Sequence, residues 1–194
     1  MKLQSSLSAL ALAAAALASA PAHAADYSLT FQGVTFEFSL IDSDTFNLTM
    51  LNTDMASGDW TGVTNLNAFM LKDVGTGFTG ATATGPGGFL YNSKELNASG
   101  CAGGPPGGDS KNLCFTGLTA VAPTLSWNID VTGASLSIAD IGPHLKVRFG
   151  NATDDKVGSL LSENLPAVPE PESYALALAG LALIGLVTRR KRAS

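Results

Sequence analysis

Apolar and polar residues alternate with a period of two through most of this 194-residue chain. In YSLTF, Tyr27, Leu29 and Phe31 share one face. After Gln32-Gly33 the register continues through Val34, Phe36, Phe38 and Leu40, so the glycine marks a bulge or a tight turn. TFNLTML repeats the alternation with Phe46, Leu48 and Met50, and the intervening DSDT predicts a turn and a first hairpin. PTLSWNIDVTG gives the clearest pattern. Leu125, Trp127, Ile129 and Val131 point one way, and Ser126, Asn128, Asp130 and Thr132 the other. HLKVRFG sets Leu145, Val147 and Phe149 against Lys146 and Arg148. Further strands are predicted at Asn65–Leu71, around Phe89 and Tyr91, and at the start of LCFTGL, with an edge strand in KVGSLL. GATATG, at Gly80–Gly85, is an ordinary strand or turn with a single T-x-T step. No internal repeat aligns, which argues against a solenoid or propeller.

No sustained 3.6-residue period occurs in this body, and Gly, Asn, Asp, Thr and Ser interrupt it every eight to twelve residues. Short alternating strands at that spacing predict an all-β fold, an antiparallel β-sandwich of jelly-roll-like or immunoglobulin-like type. The two ends break the pattern. Lys2, an apolar run from Leu7 to Ala18, and Ala22 and Ala24 flanking His23 have the order of a secretory signal cleaved after Ala24. The expected organisation is a signal peptide at 1–24, the β-sandwich body at 25–162, a polar, Pro-containing extended linker at 163–167, and a C-terminal signal at 168–194.

Charge narrows the function classes. Five of the eleven basic residues, Lys2, Arg189, Arg190, Lys191 and Arg192, lie in the end segments, while fourteen of the sixteen acidic residues lie in the body. The body is therefore strongly acidic, which repels nucleic acid and anionic lipid. An exported chain meets an oxidising compartment, so its two cysteines, Cys101 and Cys114, are expected to pair and to staple the Gly/Pro-rich stretch between them. Two thiols alone do not complete a zinc site, and no C-x-x-C is present.

The chemistry-bearing residues do not assemble into a motif. His144 is the single histidine of the body, and no G-x-S-x-G occurs, so a nucleophile elbow is absent. A glycosidase needs two carboxylates, and nothing in the sequence selects a pair. Asp42–Asp44 and Asp154–Asp155 have the charge to assist weak Ca²⁺ binding but lack EF-hand spacing; no other cofactor is expected. Trp60, Trp127 and Tyr91 suggest a sugar-stacking platform. Trp127 alternates with core residues, whereas Trp60, in SGDWTG, has a loop-like context and is the candidate ligand-facing residue.

The tail carries the one specific signal. Val168, Pro169, Glu170 and Pro171 precede an apolar run, Tyr174–Val187, of 14 residues. As a helix over about 174–188 it reaches about 21 Å, short of a hydrocarbon core of about 30 Å. Arg189, Arg190, Lys191 and Arg192 follow and would stay cytoplasmic, so the body would lie outside, in agreement with the N-terminal signal. Triplet, short helix and basic end in this order resemble the PEP-CTERM sorting signal of Gram-negative bacteria, over Val168 to Arg192 only. The resemblance implies Sec export, transient residence in the inner membrane, and recognition of the Pro169-Glu170-Pro171 triplet by exosortase, with the tail removed or exchanged. It also implies association with exopolysaccharide and biofilm. The function expected is thus a non-enzymatic surface or extracellular-matrix protein. The alternatives are a carbohydrate-binding module with a defined sugar site, or a secreted hydrolase with an unrecognised carboxylate pair.

Overall fold

A computed structural model describes residues 26–104, 110–169, 178, 180 and 181. The segment 1–24, Glu170 and Pro171, most of the expected membrane helix and the basic cluster Arg189–Arg192 lie outside the described residues. The described residues of the body are all-β apart from two short 3-10 turns, Thr53–Met55 and Gly58–Trp60.

The alternating stretches become antiparallel strands. β1 (Tyr27–Phe31), β2 (Val34–Leu40) and β3 (Thr45–Leu51) form a meander, and β10 (Thr124–Thr132) and β5 (Gly80–Thr84) extend it into a sheet of order β1-β2-β3-β10-β5. The β1–β2 connection is a tight two-residue turn. Both central residues have positive φ, +47° at Gln32 and +82° at Gly33, which suits the twist of a hairpin. A second sheet has the order β12-β11-β4-β9-β6, from β12 (Leu161–Asn164), β11 (His144–Gly150), β4 (Asn65–Lys72), β9 (Leu113–Ala120) and β6 (Leu90–Asn92). A small hairpin, β7 (Glu95–Asn97) and β8 (Gly100–Gly103), stands apart from both sheets.

The apolar phase of each strand feeds one core. Val34, Phe36, Phe38, Phe46, Leu48, Met50, Leu125, Trp127, Ile129 and Val131 of the first sheet join Leu66, Phe69, Leu71, Leu113, Phe115, Leu145, Val147 and Phe149 of the second in a single buried cluster. Outward positions of the first sheet are polar and bond across the strands. Asn47 Nδ2 donates to Ser126 Oγ at 3.0 Å and to Asn128 Oδ1 at 2.9 Å, and Thr45 Oγ1 donates to Asp130 Oδ1 at 3.0 Å.

β4 shows no alternation because both of its faces are covered. Leu66 to Leu71 are all buried. Pairing slips around Asn67: from Leu66 to Ala68, two steps along β4 meet one step on β11, Phe149 to Arg148, and three on β9, Thr119 to Thr116, and this irregularity switches which residues face the core. Ala68 and Met70 then point away from the main core and form a second apolar cluster with Leu96, Cys101 and Cys114. The β7–β8 hairpin thereby roofs the outer side of the second sheet.

Two strand-level expectations change. The edge strand expected in KVGSLL forms at Leu161–Asn164 instead; Lys156 makes only an isolated bridge to Gly150. Leu40, placed in phase with the core residues of β2, is exposed because the strand runs past the end of the core.

Candidate functional site

The continuous described stretch of the body runs up to Pro169, the first residue of the expected sorting triplet. After β12 the chain leaves the edge of the second sheet and crosses to the edge of the first. Leu165 is fully buried, and its N–H donates to the Pro143 carbonyl at 2.9 Å. Gly142, at φ +81°, lets that crossing pass, because a Cβ there would overlap the Leu165 carbonyl. Two further bonds place the segment along β1. Ser28 N–H donates to the Pro166 carbonyl at 3.0 Å, and Val168 N–H donates to the Asp26 carbonyl at 2.9 Å, with Tyr27 and Ala167 opposite one another between them. Residues 163–167 are thus extended, as the sequence suggests, but bonded to the body. Pro169 is exposed directly after the last of these bonds. Ile141, beside this crossing, and Leu40 and Ile41, beside Asp26, are exposed aliphatic residues around the exit. Asp26 itself is tied to that rim, its Oδ2 accepting the Leu40 N–H at 2.5 Å.

Trp60 does not face solvent. The Gly58–Trp60 turn folds its ring into the core, where it is fully buried. It meets Phe31, Phe36 and Phe149 edge-on at centroid distances of 5.3, 6.1 and 4.9 Å. Its indole N–H donates to the Ser159 carbonyl at 2.9 Å, and its backbone N–H to Gln32 Oε1 at 3.0 Å. Trp127 is also fully buried, its indole N–H on the Pro86 carbonyl at 2.9 Å. Tyr91 packs on Phe115, and its hydroxyl is buried. The expectation that Trp60 is ligand-facing is therefore corrected: both tryptophans are core anchors, each with its one polar atom satisfied. Polar neighbours misled the sequence reading, and the glycines flanking the turn were the signal that the chain doubles back there.

The charged candidates are committed to structure. Cys101 and Cys114 form a disulfide with S–S 2.08 Å, joining β8 of the roof to β9 of the sheet beneath. On the same hairpin, Glu95 Oε1 accepts from Lys146 Nζ at 2.5 Å and Lys72 Nζ at 2.8 Å, and these bonds pull its carboxyl down to about 2. Arg148 Nε donates to the Ala98 carbonyl at 2.9 Å. The hairpin is therefore held by one covalent, one ionic and one apolar contact set, none of which periodicity reveals.

Asp42 Oδ1 accepts the backbone N–H groups of Asp44 and Thr45 at 3.0 and 2.8 Å, closing the β2–β3 turn. The bond from the Asp44 backbone lowers the Asp42 carboxyl, while contact with Asp42 raises that of Asp44. Asp155 accepts from Thr153 Oγ1 at 2.7 Å, which lowers its carboxyl, and Asp154 pairs with Asn67 and with Arg148. Neither acidic pair is gathered around an open coordination site. Among the described residues no group of three or more His, Cys, Asp or Glu is arranged to hold a metal ion. His144 bridges β11 to β12, with Nδ1 2.6 Å from Asn164 Oδ1 and Nε2 3.0 Å from Ser162 Oγ. A surface depression of about 470 Å³ is lined by Asp44, Val131, Thr132, Gly133, Ala134 and Ser135. It contributes one carboxylate, where acid–base glycoside cleavage uses two.

Of the tail beyond Pro169, the described residues Leu178, Gly180 and Leu181 are helical. Among the described residues no helix is long and apolar enough to cross a membrane. No curated protein matches the chain. Residues 167–192 match the PEP-CTERM protein-sorting motif. The chain therefore carries, from the last bonded residues of its folded body to its basic end, the sorting signal of an exported cell-surface protein processed at the membrane by exosortase.

Proposed function

We propose that this chain is a non-enzymatic surface or extracellular-matrix protein of a Gram-negative bacterium, delivered by exosortase and associated with extracellular polysaccharide. The observation that carries the reading is the motif at 167–192, joined without a flexible spacer to the body. In this reading residues 1–24 are a signal peptide cut after Ala24, with Ala22 and Ala24 at the cleavage site, and Sec carries the chain across the inner membrane. Pro169, Glu170 and Pro171 are the recognised triplet. A helix over about 174–188 holds the precursor in the membrane, and Arg189, Arg190, Lys191 and Arg192 keep its end in the cytoplasm. The body is a β-sandwich, two antiparallel sheets around one core, and its working unit extends to Val168. The commitment of its tryptophans to the core and of its acidic pairs to turns and ion pairs favours a structural role over a sugar-stacking or hydrolytic one.

The test is the fate of a Pro169–Pro171 deletion beside the wild type in an exosortase-positive host. Wild-type protein is expected outside the cell and at its surface, with the deletion variant retained in the inner membrane fraction. Equal release of both proteins would sink the sorting role.

A further inference from the structure

We infer that Leu165–Val168 is a permanent strand of the mature body, and that exosortase receives the triplet from a folded, closed pole rather than from a free linker. This rests on the sorting reading above and adds where the body ends and what stays docked during processing.

The segment does structural work. It carries the chain from the edge of one sheet to the edge of the other, buries Leu165, and covers the start of β1, an edge that would otherwise present unpaired backbone groups. Its last bond, Val168 to Asp26, involves the residue immediately before the triplet and one that stands two positions after the expected signal cut. Both membrane-tethered ends of the precursor thus leave the body side by side. The five residues Pro169 to Ser173 lie between that bond and the apolar run. At the maximum rise of an extended chain five residues reach about 18 Å. The enzyme consequently works in a narrow gap between the membrane and the pole rimmed by Leu40, Ile41 and Ile141.

A cut upstream of Val168 would strip the strand from β1, so the scissile bond lies on the C-terminal side of Val168. Hydrolysis there breaks one peptide bond, adds the hydroxyl of water to the acyl carbon left on the body, and gives the proton to the departing amine. While its N–H stays bonded to Asp26, Val168 cannot offer that amide to a protease cleft, which places the gripped residues downstream, in the triplet and beyond.

Two measurements on the full chain in its host test this. The first is the C-terminal peptide and intact mass of released protein. A C-terminus at or beyond Val168 supports the inference. A C-terminus upstream of Val168 overturns it and leaves exosortase sorting standing. Release with the tail intact to Arg192 overturns the sorting reading and this inference together. The second is the double variant Tyr27→Cys/Ala167→Cys. These positions face each other as a pair without mutual hydrogen bonds, for which Cα atoms lie about 4.5 Å apart, within disulfide range. The crosslinked protein is expected to lose its tail and to be released at the level of the single variant Tyr27→Cys. Accumulation of crosslinked, unprocessed precursor would show that the strand must open, and failure of the two thiols to pair would show that it is not docked. Either result overturns the inference.

Discussion

Replacing Trp60 separates a core anchor from a ligand platform. The ring is fully buried against Phe31, Phe36 and Phe149, and its N–H is the donor to the Ser159 carbonyl. Trp60→Phe keeps most of the apolar contact and deletes that donor. Losing that hydrogen bond costs about 0.5–1.5 kcal/mol, and the void left by the smaller ring adds to it at about 24 cal/mol per Å³. Trp60→Ala removes the ring and is expected to cost about 3–5 kcal/mol, a large part of the about 5–15 kcal/mol that a domain has. For a body of this size 1 kcal/mol lowers Tm by about 3–4 °C. Thermal unfolding followed by near-ultraviolet circular dichroism should therefore show a drop of about 6–8 °C for Trp60→Phe and of at least about 10 °C for Trp60→Ala. A surface tryptophan behaves otherwise, its removal staying within about 0.5 kcal/mol. A Trp60→Ala protein melting with the wild type would refute the buried packing of this ring and restore the exposed platform.

The roof over the second sheet gives two further predictions. Cys101→Ala/Cys114→Ala opens a loop whose closure, at a sequence separation of 13, is worth about 3 kcal/mol in the chain-entropy model. Urea unfolding should show that loss together with faster amide exchange at Leu96, and an unchanged midpoint would remove the stapling role. Glu95 supplies the pH dependence. Its folded carboxyl sits at about 2 against an ordinary 4.5, so its contribution is complete above about pH 4.5 and is lost as pH falls through the folded value. With its side chain 34% exposed, solvent screening reduces this to about 1 kcal/mol. Wild type should therefore lose more stability than Glu95→Gln between pH 6 and pH 2.5 by about that amount, and parallel denaturation curves would contradict the ion-pair assignment.

Much of the fold was legible because burying one face of a strand imposes a two-residue period. β2, β3, β10 and β11 could be placed, with their core residues, from alternation alone. Alternation was silent wherever a second layer covered the other face. β4 reads as an undifferentiated apolar run because the β7–β8 hairpin lies over Ala68 and Met70. That hairpin was invisible in turn, since its stability comes from Cys114, Lys72 and Lys146 on other strands. The sorting tail was legible for a different reason. A signal read by an enzyme on an extended chain has to be written in consecutive residues, and Val168-Pro169-Glu170-Pro171, the apolar run and the basic end are consecutive.

By itself, then, the sequence determined the strand class, the acidic exported body and the sorting address, all of them properties of local order or of total charge. Tertiary structure decided what the local pattern could not contain. It turned Trp60 inward, because a 3-10 turn between distant strands found its nearest apolar volume in the core. It also joined residues 166–168 to residues 26–28, because the edges of two sheets met there. Contacts between residues more than a hundred positions apart leave no periodic trace, and here they bind the first residues of the matched sorting motif, Ala167 and Val168, to the body.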